Sequence, residues 1–282
     1  MKIDVNENVD FVQLWQEGMR DWNGNMPERM VDDSLEEQFW QDVITRKAPN
    51  PTSDPHIQPL LQKLISYVQH EDSVLEIGPG WGNYTFPLLE YVKDITAVDS
   101  SKHIIHFIQM IKEKNGYKDL HLLNKKWEEW SSSQTYDVVF GINCFYRMYD
   151  IQRALKTIHT TANRLAIVGM TTGPMRPHYI ELQQTYGVKL KSPRRDYIHL
   201  VNLLYELGIY ANCEVVELEK TFVYTTYEEL IKANSIKLRN EPQDTKLVEK
   251  VISQYCTLHN GKYHYTHKFH GVLVTWTPNG TL

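Results

Sequence analysis

The fold of this chain is decided by one stretch, Val74-Leu75-Glu76-Ile77-Gly78-Pro79-Gly80-Trp81-Gly82-Asn83-Tyr84-Thr85. Its first four residues are typical of a strand that is buried on both faces apart from one acid. Glycines follow at positions 78, 80 and 82, and an amphipathic run over 84–92 predicts a helix. Strand, glycine turn and helix together let backbone N–H groups and a helix N-terminus approach a ligand closely.

A second acid stands at the spacing expected for a nucleotide-like ligand. The apolar run 95–98 predicts another buried strand, and Asp99, which follows it, lies 21 residues after Gly78. An acid about 20 residues past such a turn is where a ribose diol is held. A dinucleotide fingerprint would need its third glycine at position 83, which is Asn83 here.

The pattern acid-apolar-Gly-x-Gly-x-Gly, with a further acid after the second strand, resembles motif I of the class I S-adenosylmethionine-dependent methyltransferases. The cofactor of that family has no phosphates to cradle, which agrees with the displaced third glycine. The resemblance covers residues 55–170 by motifs and 195–277 by the order of elements. It implies an α/β fold with a doubly wound, seven-stranded, mostly parallel sheet, a C-terminal antiparallel hairpin and helical lid segments.

The resemblance also implies which residues hold S-adenosylmethionine. Asp99 would bind the ribose hydroxyls, and Asn143, just past the fourth predicted strand, would lie near the methionine part. Trp127 could stack on the adenine while Glu128 accepts a hydrogen bond from its amine, although plain surface packing is the alternative. The positions carried over are Glu76, Gly78, Pro79, Gly80, Gly82, Asp99, Ser100, Trp127, Glu128 and Asn143.

Composition and charge narrow the class of protein. The 282 residues suit one large domain, or one and a half, with an ample core. A net charge of −5 and a pI near 6.2 give no global field for nucleic acid. Three cysteines form no metal spacing and no paired framework. We see neither a signal core nor an apolar run of the roughly 18 residues that span a membrane, so we expect a cytoplasmic protein without a membrane partner.

The chain departs from a minimal cofactor-binding fold in three places. We predict an N-terminal helical cap over 1–54 and a methyltransferase core over 55–282. Insertions near 171–195 and 226–258 would form a substrate cap. At the start of the core, Asp54-Pro55 is typical of a helix N-cap followed by a proline in the first turn.

Methyl transfer from a sulfonium is an in-line displacement, so alignment and desolvation can supply most of the catalysis. A base is needed only where the acceptor carries a proton. Candidate bases or orienting groups are Tyr146, Tyr149 and His178, which we expect near the strand ends. Each of them is a packing or surface residue by default.

Three arginines could recognise the acceptor. Arg176, Arg194 and Arg195 fall in the first insertion, where they could pair with a carboxylate or phosphate or be solvated loop charges.

Four histidines near the C-terminus invite a metal hypothesis. Positions 264 and 270 share one face of an alternating strand while 267 lies on the other, so we expect no metal site. The four are His259, His264, His267 and His270.

The segment after the fourth predicted strand narrows the acceptor. Amino-group methylases of DNA bases or glutamine carry Asn/Asp-Pro-Pro-aromatic there, whereas this chain has Asn143-Cys144-Phe145-Tyr146. Cytosine-carbon methylases need a cysteine after proline or threonine, and Cys144 follows Asn143. A small-molecule acceptor with no nucleic-acid partner is therefore the leading hypothesis. The alternatives are a non-catalytic S-adenosylmethionine-binding protein or an NAD(P)-dependent oxidoreductase, and the oligomeric state stays open.

Overall fold

The computed structural model describes residues 9–191 and 195–278, and it describes only the backbone of 241–243. Arg194, one of the predicted acceptor-binding residues, lies outside the described residues. The chain divides into two compact units. Unit 1 combines Met1–Met170, Arg194–Val215 and Val272–Leu282, and unit 2 combines Thr171–Pro193 and Val216–Gly271.

The described strands form one sheet. They are β1 Ser73–Ile77, β2 Asp94–Asp99, β3 Leu120–Asn124, β4 Tyr136–Ile142, β5 Ala162–Thr172, β6 Asn212–Tyr224, β7 Thr257–His259 and β8 Lys262–Trp276. Their order is β3-β2-β1-β4-β5-β8-β6, and β7 pairs with β8. Pairing is parallel from β3 through β5 and antiparallel between β7 and β8. The predicted mostly parallel sheet with antiparallel strands near the C-terminus is confirmed, and the short β7 makes one strand more than predicted.

The helices follow the predicted alternation with the strands. They are α1 Phe11–Gly18, α2 Glu28–Val31, α3 Asp33–Ile44, α4 Gln58–Ile65, α5 Thr85–Leu88, α6 Lys102–Asn115, α7 Ile151–Thr161, α8 Pro177–Tyr186, α9 Tyr197–Glu206, α10 Tyr227–Ser235 and α11 Glu241–Ile252. Local chemistry sets α6: the Ser101 side chain accepts a hydrogen bond from the Ile104 N–H, and Gly116 ends the helix in the left-handed region. Within the described residues, no helix has the length and apolar character needed to cross a bilayer.

The core of unit 1 lies around its central strands. β1 and β4 are buried along almost their whole length, as parallel strands covered on both faces require. Trp15 of α1 is fully buried in this core, and its indole N–H donates to the Met148 carbonyl at 2.9 Å. The N-terminal segment is thus part of unit 1, and its role as a cap stays a prediction.

Unit 2 has a hydrophobic core of its own. It is built from α8, α10, α11 and the part of β8 that carries Tyr265. Both predicted insertions contribute helices to this unit, together with strand segments of β5, β6 and β8. The proposal that these insertions cap a substrate is an expectation that the fold alone leaves untested.

Candidate functional site

The glycine turn after β1 needs its glycines for different reasons. Gly78, Gly80 and Gly82 all have positive φ, at 65°, 57° and 85°. A Cβ atom at position 78 would lie 2.4 Å from the Cβ of Cys144, and one at position 82 would lie 2.2 Å from the Phe86 ring. At Gly80 a Cβ would meet nothing within 4 Å. Packing therefore requires the outer two glycines, whereas Gly80 borders open space.

Asp99 at the end of β2 meets this turn directly. Its carboxylate accepts hydrogen bonds from the N–H groups of Ser101, at 2.8 Å, and of Gly80. Burial, with the negative charges of Glu37 and Glu36 nearby, raises the pKa of Asp99 to about 7. The two motifs that lie 21 residues apart in sequence are thus in contact.

Glu76 is the second acid of the site, and it is only 2% exposed. The Thr85 hydroxyl donates to its Oε2 at 2.6 Å. Burial, with a smaller contribution from the charge of Asp99, raises the pKa of Glu76 to about 8. Burial disfavours the charged form of both carboxyl groups, and a cation bound beside them would favour that form and lower both pKa values.

The end of β4 completes the arrangement. Asn143 adopts a φ of 57°, which is uncommon for a non-glycine residue and typical of strained functional positions. Its backbone N–H donates to the Gly169 carbonyl at 2.9 Å. Cys144 packs on Gly78, and burial raises the pKa of its thiol, as do the charges of Asp99, Glu76 and Glu128. The structure therefore brings Glu128 into the same electrostatic environment as the glycine turn.

The remaining predicted cofactor positions differ in exposure. Trp127 is 4% exposed, and its indole N–H donates to the Ala154 carbonyl at 3.2 Å. The indole is thus part of the core, and stacking on an adenine would require it to leave this position. Ser100 is exposed, with its carbonyl accepting from Asn124, whereas Pro79 is buried beneath the turn.

Helix α3 lies across the segments that follow four parallel strands. Its contacts are Trp40–Trp81 after β1, Glu37–His103 after β2, Asp33–Lys126 after β3 and Asp33–Arg147 after β4. In open α/β sheets, ligands bind outside the carboxyl ends of the strands. The N-terminal segment therefore lies over the edge of the sheet where the glycine turn and Asp99 are.

The buried carboxylate of Glu36, on α3, forms a hydrogen bond with Tyr146, the first candidate base. Glu36 is 3% exposed and accepts hydrogen bonds from Arg29 Nε at 2.6 Å, from Trp40 Nε1 at 2.8 Å and from the Tyr146 hydroxyl. Burial and this carboxylate raise the pKa of Tyr146 above its usual range. Tyr146 is therefore held as a hydroxyl donor, while Tyr149 is largely exposed.

Asp54 lies at the predicted N-cap position, with Pro55 in the first turn of a short 3-10 helix over Pro55–Ile57, but its side chain bonds elsewhere. Its side chain makes no capping hydrogen bond and instead accepts from Trp81 Nε1 at 3.2 Å, Asn83 Nδ2 at 3.1 Å and Lys47 Nζ at 3.1 Å. The Asp54 N–H donates back to Asn83 Oδ1 at 2.9 Å. This linker and Trp81 line a cavity of about 370 Å³, with Phe107 on another wall. The stretch before α4 is thereby tied to the glycine turn.

The predicted acceptor-binding arginines do not form one cluster. Arg195, in unit 1, donates from Nη1 to the Tyr146 carbonyl at 2.6 Å. Arg176, in unit 2, donates from Nη1 to Asn234 Oδ1 at 2.6 Å. The two guanidinium groups thus have separate partners in separate units.

His178 is a fully buried residue of unit 2. Its Nδ1 lies 2.9 Å from the Tyr265 hydroxyl, and its Nε2 lies 3.2 Å from the Asn234 carbonyl. Burial lowers the pKa of this imidazole to about 4. Both ring nitrogens are occupied by protein groups, which favours a structural role over that of a base.

The four C-terminal histidines have other neighbours. The His259 and His264 rings meet edge to face at 5.8 Å, and His270 Nδ1 lies 2.7 Å from the Gly173 carbonyl. The His267 ring stacks on Phe269. Among the side chains of residues 9–191, 195–240 and 244–278, no group of three or more His, Cys, Asp or Glu is arranged to hold a metal ion.

Sequence reasoning missed the acids that act on Asp99. Glu36 and Glu37 belong to α3, more than 60 residues earlier in the chain. No local pattern links these positions to the strand ends, because their placement depends on how α3 packs. Their spacing on one helical turn was visible, but it is equally typical of a solvated helix face.

Comparison with known proteins agrees with this geometry. Residues 74–164, from β1 to the start of β5, match the methyltransferase domain family. An uncharacterized protein of Haemophilus influenzae is 26% identical over 241 residues, which is 82% of this chain and 83% of that protein. Ribosomal RNA small subunit methyltransferase A of Wigglesworthia glossinidia brevipalpis is 33% identical over 67 residues, only 23% of this chain and 25% of that enzyme.

The fold is shared with solved structures. A proposed methyltransferase of Bacillus halodurans C-125 superimposes with a TM-score of 0.54 at 14% identity, covering 78% of this chain and 99% of that one. At this identity the likeness concerns the fold alone. The matched methyltransferase domain, the shared fold and the glycine turn beside Asp99 support a class I S-adenosylmethionine-dependent methyltransferase, with S-adenosylmethionine as its cofactor.

Proposed function

We propose that this enzyme methylates a small-molecule acceptor that carries an anionic group, and that it does so in the cytoplasm. The contact between the Asp99 carboxylate and the Gly80 N–H, beside the open space at Gly80, is the observation that carries the cofactor assignment. Three unpaired cysteines support the compartment.

The residues present fit the cofactor. Asp99 would accept hydrogen bonds from the ribose hydroxyls, and Gly78 and Asn143 would offer backbone groups to the ammonium. The positive charge of a bound cofactor would favour the charged forms of Glu76 and Asp99 and so lower their raised pKa values. When bound, S-adenosylmethionine supplies a methyl group on a sulfonium, which is an already activated leaving group.

Alignment and exclusion of water are the contributions we assign to the protein itself. Helix α3 covers the strand ends, and the bond from Tyr146 to buried Glu36 fixes that cover in place. We propose Tyr146 as an orienting donor rather than a base, because its pKa is raised by burial and by Glu36. Tyr149 and His178 have weaker support, since one is exposed and the other is enclosed by protein partners.

A small acceptor is supported by charge and by the extent of the RNA-methyltransferase similarity. The net charge of −5 offers no general attraction for phosphate backbones. The match to a ribosomal RNA methyltransferase spans only a quarter of that enzyme. Arg176, half-buried and free of any ion pair among the described residues, supports an anionic group on the acceptor.

The test is transfer of labelled methyl from S-adenosylmethionine to a library of carboxylated, phosphorylated and uncharged metabolites. We expect labelled product from an anionic compound, and loss of that product in Asp99→Ala. The matched control is Asp94→Ala, at the opposite end of β2, which should keep activity. Labelling only of RNA would contradict the small-molecule proposal, and cofactor binding without any product would favour a non-catalytic role.

A further inference from the structure

Unit 2 gathers four basic side chains that the cofactor site does not use. They are Arg176, His178, Lys237 and His267. The positive charges of Arg176 and Lys237 both act on the two histidines, and the charge of Arg176 acts on Lys237. Among the side chains described, which are those of 9–191, 195–240 and 244–278, neither Arg176 nor Lys237 forms an ion pair with a carboxylate.

Arg176 is held in a fixed orientation. Its Nη1 donates to Asn234 Oδ1 at 2.6 Å, and its guanidinium lies over the Phe222 ring at 4.1 Å and near the Tyr265 ring at 5.4 Å. Asn234 is itself fully buried, with Nδ2 donating to the Leu230 carbonyl at 2.8 Å. A guanidinium offers several N–H donors in a planar fork, and this bond leaves others for a carboxylate or phosphate.

Lys237 and His267 are both half-buried; Lys237 lies three residues after Asn234, which bonds Arg176, and His267 shares a face of β8 with Tyr265, whose ring lies near that guanidinium. Burial and the charge of Arg176 lower the pKa of both side chains. The positively charged forms of these groups are therefore unfavourable together. Arg176 also precedes α8, a helix of 10 residues whose positive end adds to the same field. Partly desolvated like charges are unfavourable together unless an anion binds between them.

We propose that Arg176, Lys237 and His267 bind an anionic group, a carboxylate or a phosphate, of a small organic molecule. Identifying that molecule with the methyl acceptor rests on the proposed function, whereas anion binding by unit 2 does not. The site deepens the sequence-based expectation: of the three predicted arginines it keeps Arg176, and it adds two residues from elsewhere in the chain.

The test uses modification of Lys237 by acetic anhydride in the full-length protein without cofactor, read by peptide mass spectrometry. A lysine with a lowered pKa reacts readily near neutral pH, and a bound anion shields it. Inorganic phosphate at twice its Kd should slow the reaction about threefold by mass action. Acetate is the carboxylate arm, sodium chloride at equal ionic strength is the salt control, and exposed Lys232 is the matched control residue.

Two variants decide the assignment. Arg176→Gln should abolish the protection of Lys237, and His267→Gln, which leaves the Arg176 contacts in place, should weaken it. If Arg176→Gln fails to fold, the second variant carries the decision. Equal slowing by chloride, equal protection of Lys232, or full protection in the folded variants would overturn the proposal. Protection by phosphate with no methyl transfer to any compound would leave the anion site standing and count against the proposed function.

Discussion

Two groups of ionisable side chains in this protein are partly removed from water. Acids lie beside the glycine turn in unit 1, and bases lie around Arg176 in unit 2, so the two groups carry charges of opposite sign. Burial raises the pKa of Glu76 to about 8 and that of Asp99 to about 7. In unit 2, burial lowers the pKa of His178 to about 4. Burial disfavours the charged form in both regions. The first region would gain from a bound cation and the second from a bound anion.

This difference gives the two regions opposite responses to pH. An acid with a raised pKa holds its proton more tightly when folded, so its contribution to stability is lost as pH rises. A base with a lowered pKa gives up its proton more easily when folded, so its contribution is lost as pH falls. Five measurements test this difference between the two regions.

The largest effect is expected at Glu76. The free energy of unfolding of unit 1 should be fully supported below pH 4.5 and should fall as pH rises toward about 8. The loss due to Glu76 is on the order of 5 kcal/mol at about 1.4 kcal/mol per tenfold change in proton affinity. Glu76→Gln cannot ionise and should remove the Glu76 share of this dependence, leaving the share of Asp99, in urea titrations read by hydrogen exchange of β1 peptides. A variant that keeps the wild-type slope would exclude Glu76 as its source.

His178 should produce the reverse slope. Stability of unit 2 should be complete above pH 6.5 and should decrease as pH falls toward about 4, by about 3 kcal/mol. His178→Asn keeps a polar side chain without a titrating ring and should remove the slope. Hydrogen exchange of α8 peptides across this range provides the measurement, and the buried but uncharged Tyr179→Phe is the control. A pH-independent wild type would contradict the lowered pKa.

Asp99→Ala tests the cation side of the comparison through binding. We expect S-adenosylmethionine to bind about 100-fold more weakly, because hydrogen bonds to a charged group contribute about 1.5–3 kcal/mol. Isothermal calorimetry of Asp94→Ala, on the same strand, should give the wild-type Kd. Unchanged affinity in Asp99→Ala would remove this carboxylate from the cofactor site.

Gly80→Ala and Gly116→Ala form a matched pair. Both positions have positive φ, and a Cβ meets nothing within 4 Å at either. Each alanine should therefore lower stability by a similar ~1–2 kcal/mol, the cost of left-handed backbone. The cofactor Kd should rise in Gly80→Ala alone, since Gly116 ends α6. Equal Kd values in thermal-shift titrations would show that the space at Gly80 does not belong to the ligand.

Tyr146→Phe should have the smallest effect. Removing the hydroxyl leaves buried Glu36 with Arg29 and Trp40, so we expect a loss of about 1 kcal/mol in stability. The rate of transfer should fall less than tenfold, with no change in the shape of its pH profile, if Tyr146 orients rather than abstracts a proton. Tyr149→Phe, largely exposed, serves as control. Loss of the basic limb of the profile would make Tyr146 the base.

Local motifs made the sheet and the cofactor turn predictable. The buried strands appear in the sequence as apolar runs. The spacing of Gly78, Gly80 and Asp99 indicates a cofactor-binding turn. The short β7 could not be found, because its three residues are exposed and show no alternation. Asn260-Gly261, which joins β7 to β8, is a dipeptide typical of hairpin turns, and both residues adopt positive φ.

Positions that depend on packing across the chain could not be predicted. Trp127 lies in the expected segment, but its indole packs in the core and donates to the Ala154 carbonyl, whereas the charge of Glu128 acts on Cys144. Lys237 and His267 join Arg176 only because unit 2 brings α8, α10 and β8 together. The order of charged residues along the sequence does not indicate that these three side chains lie in the same unit and act on one another.

The bonds between Asp54 and Asn83 have a consequence for how this protein unfolds. Asn83 is the residue that departs from the dinucleotide pattern. Its side chain forms hydrogen bonds with Asp54, in the segment that precedes α4. Releasing that stretch would strip hydrogen-bond partners from Asn83 and Trp81 beside the turn. A shortened protein beginning at residue 55 should therefore unfold less cooperatively. Proteolytic cleavage of the segment before α4 should weaken cofactor binding before it changes the sheet.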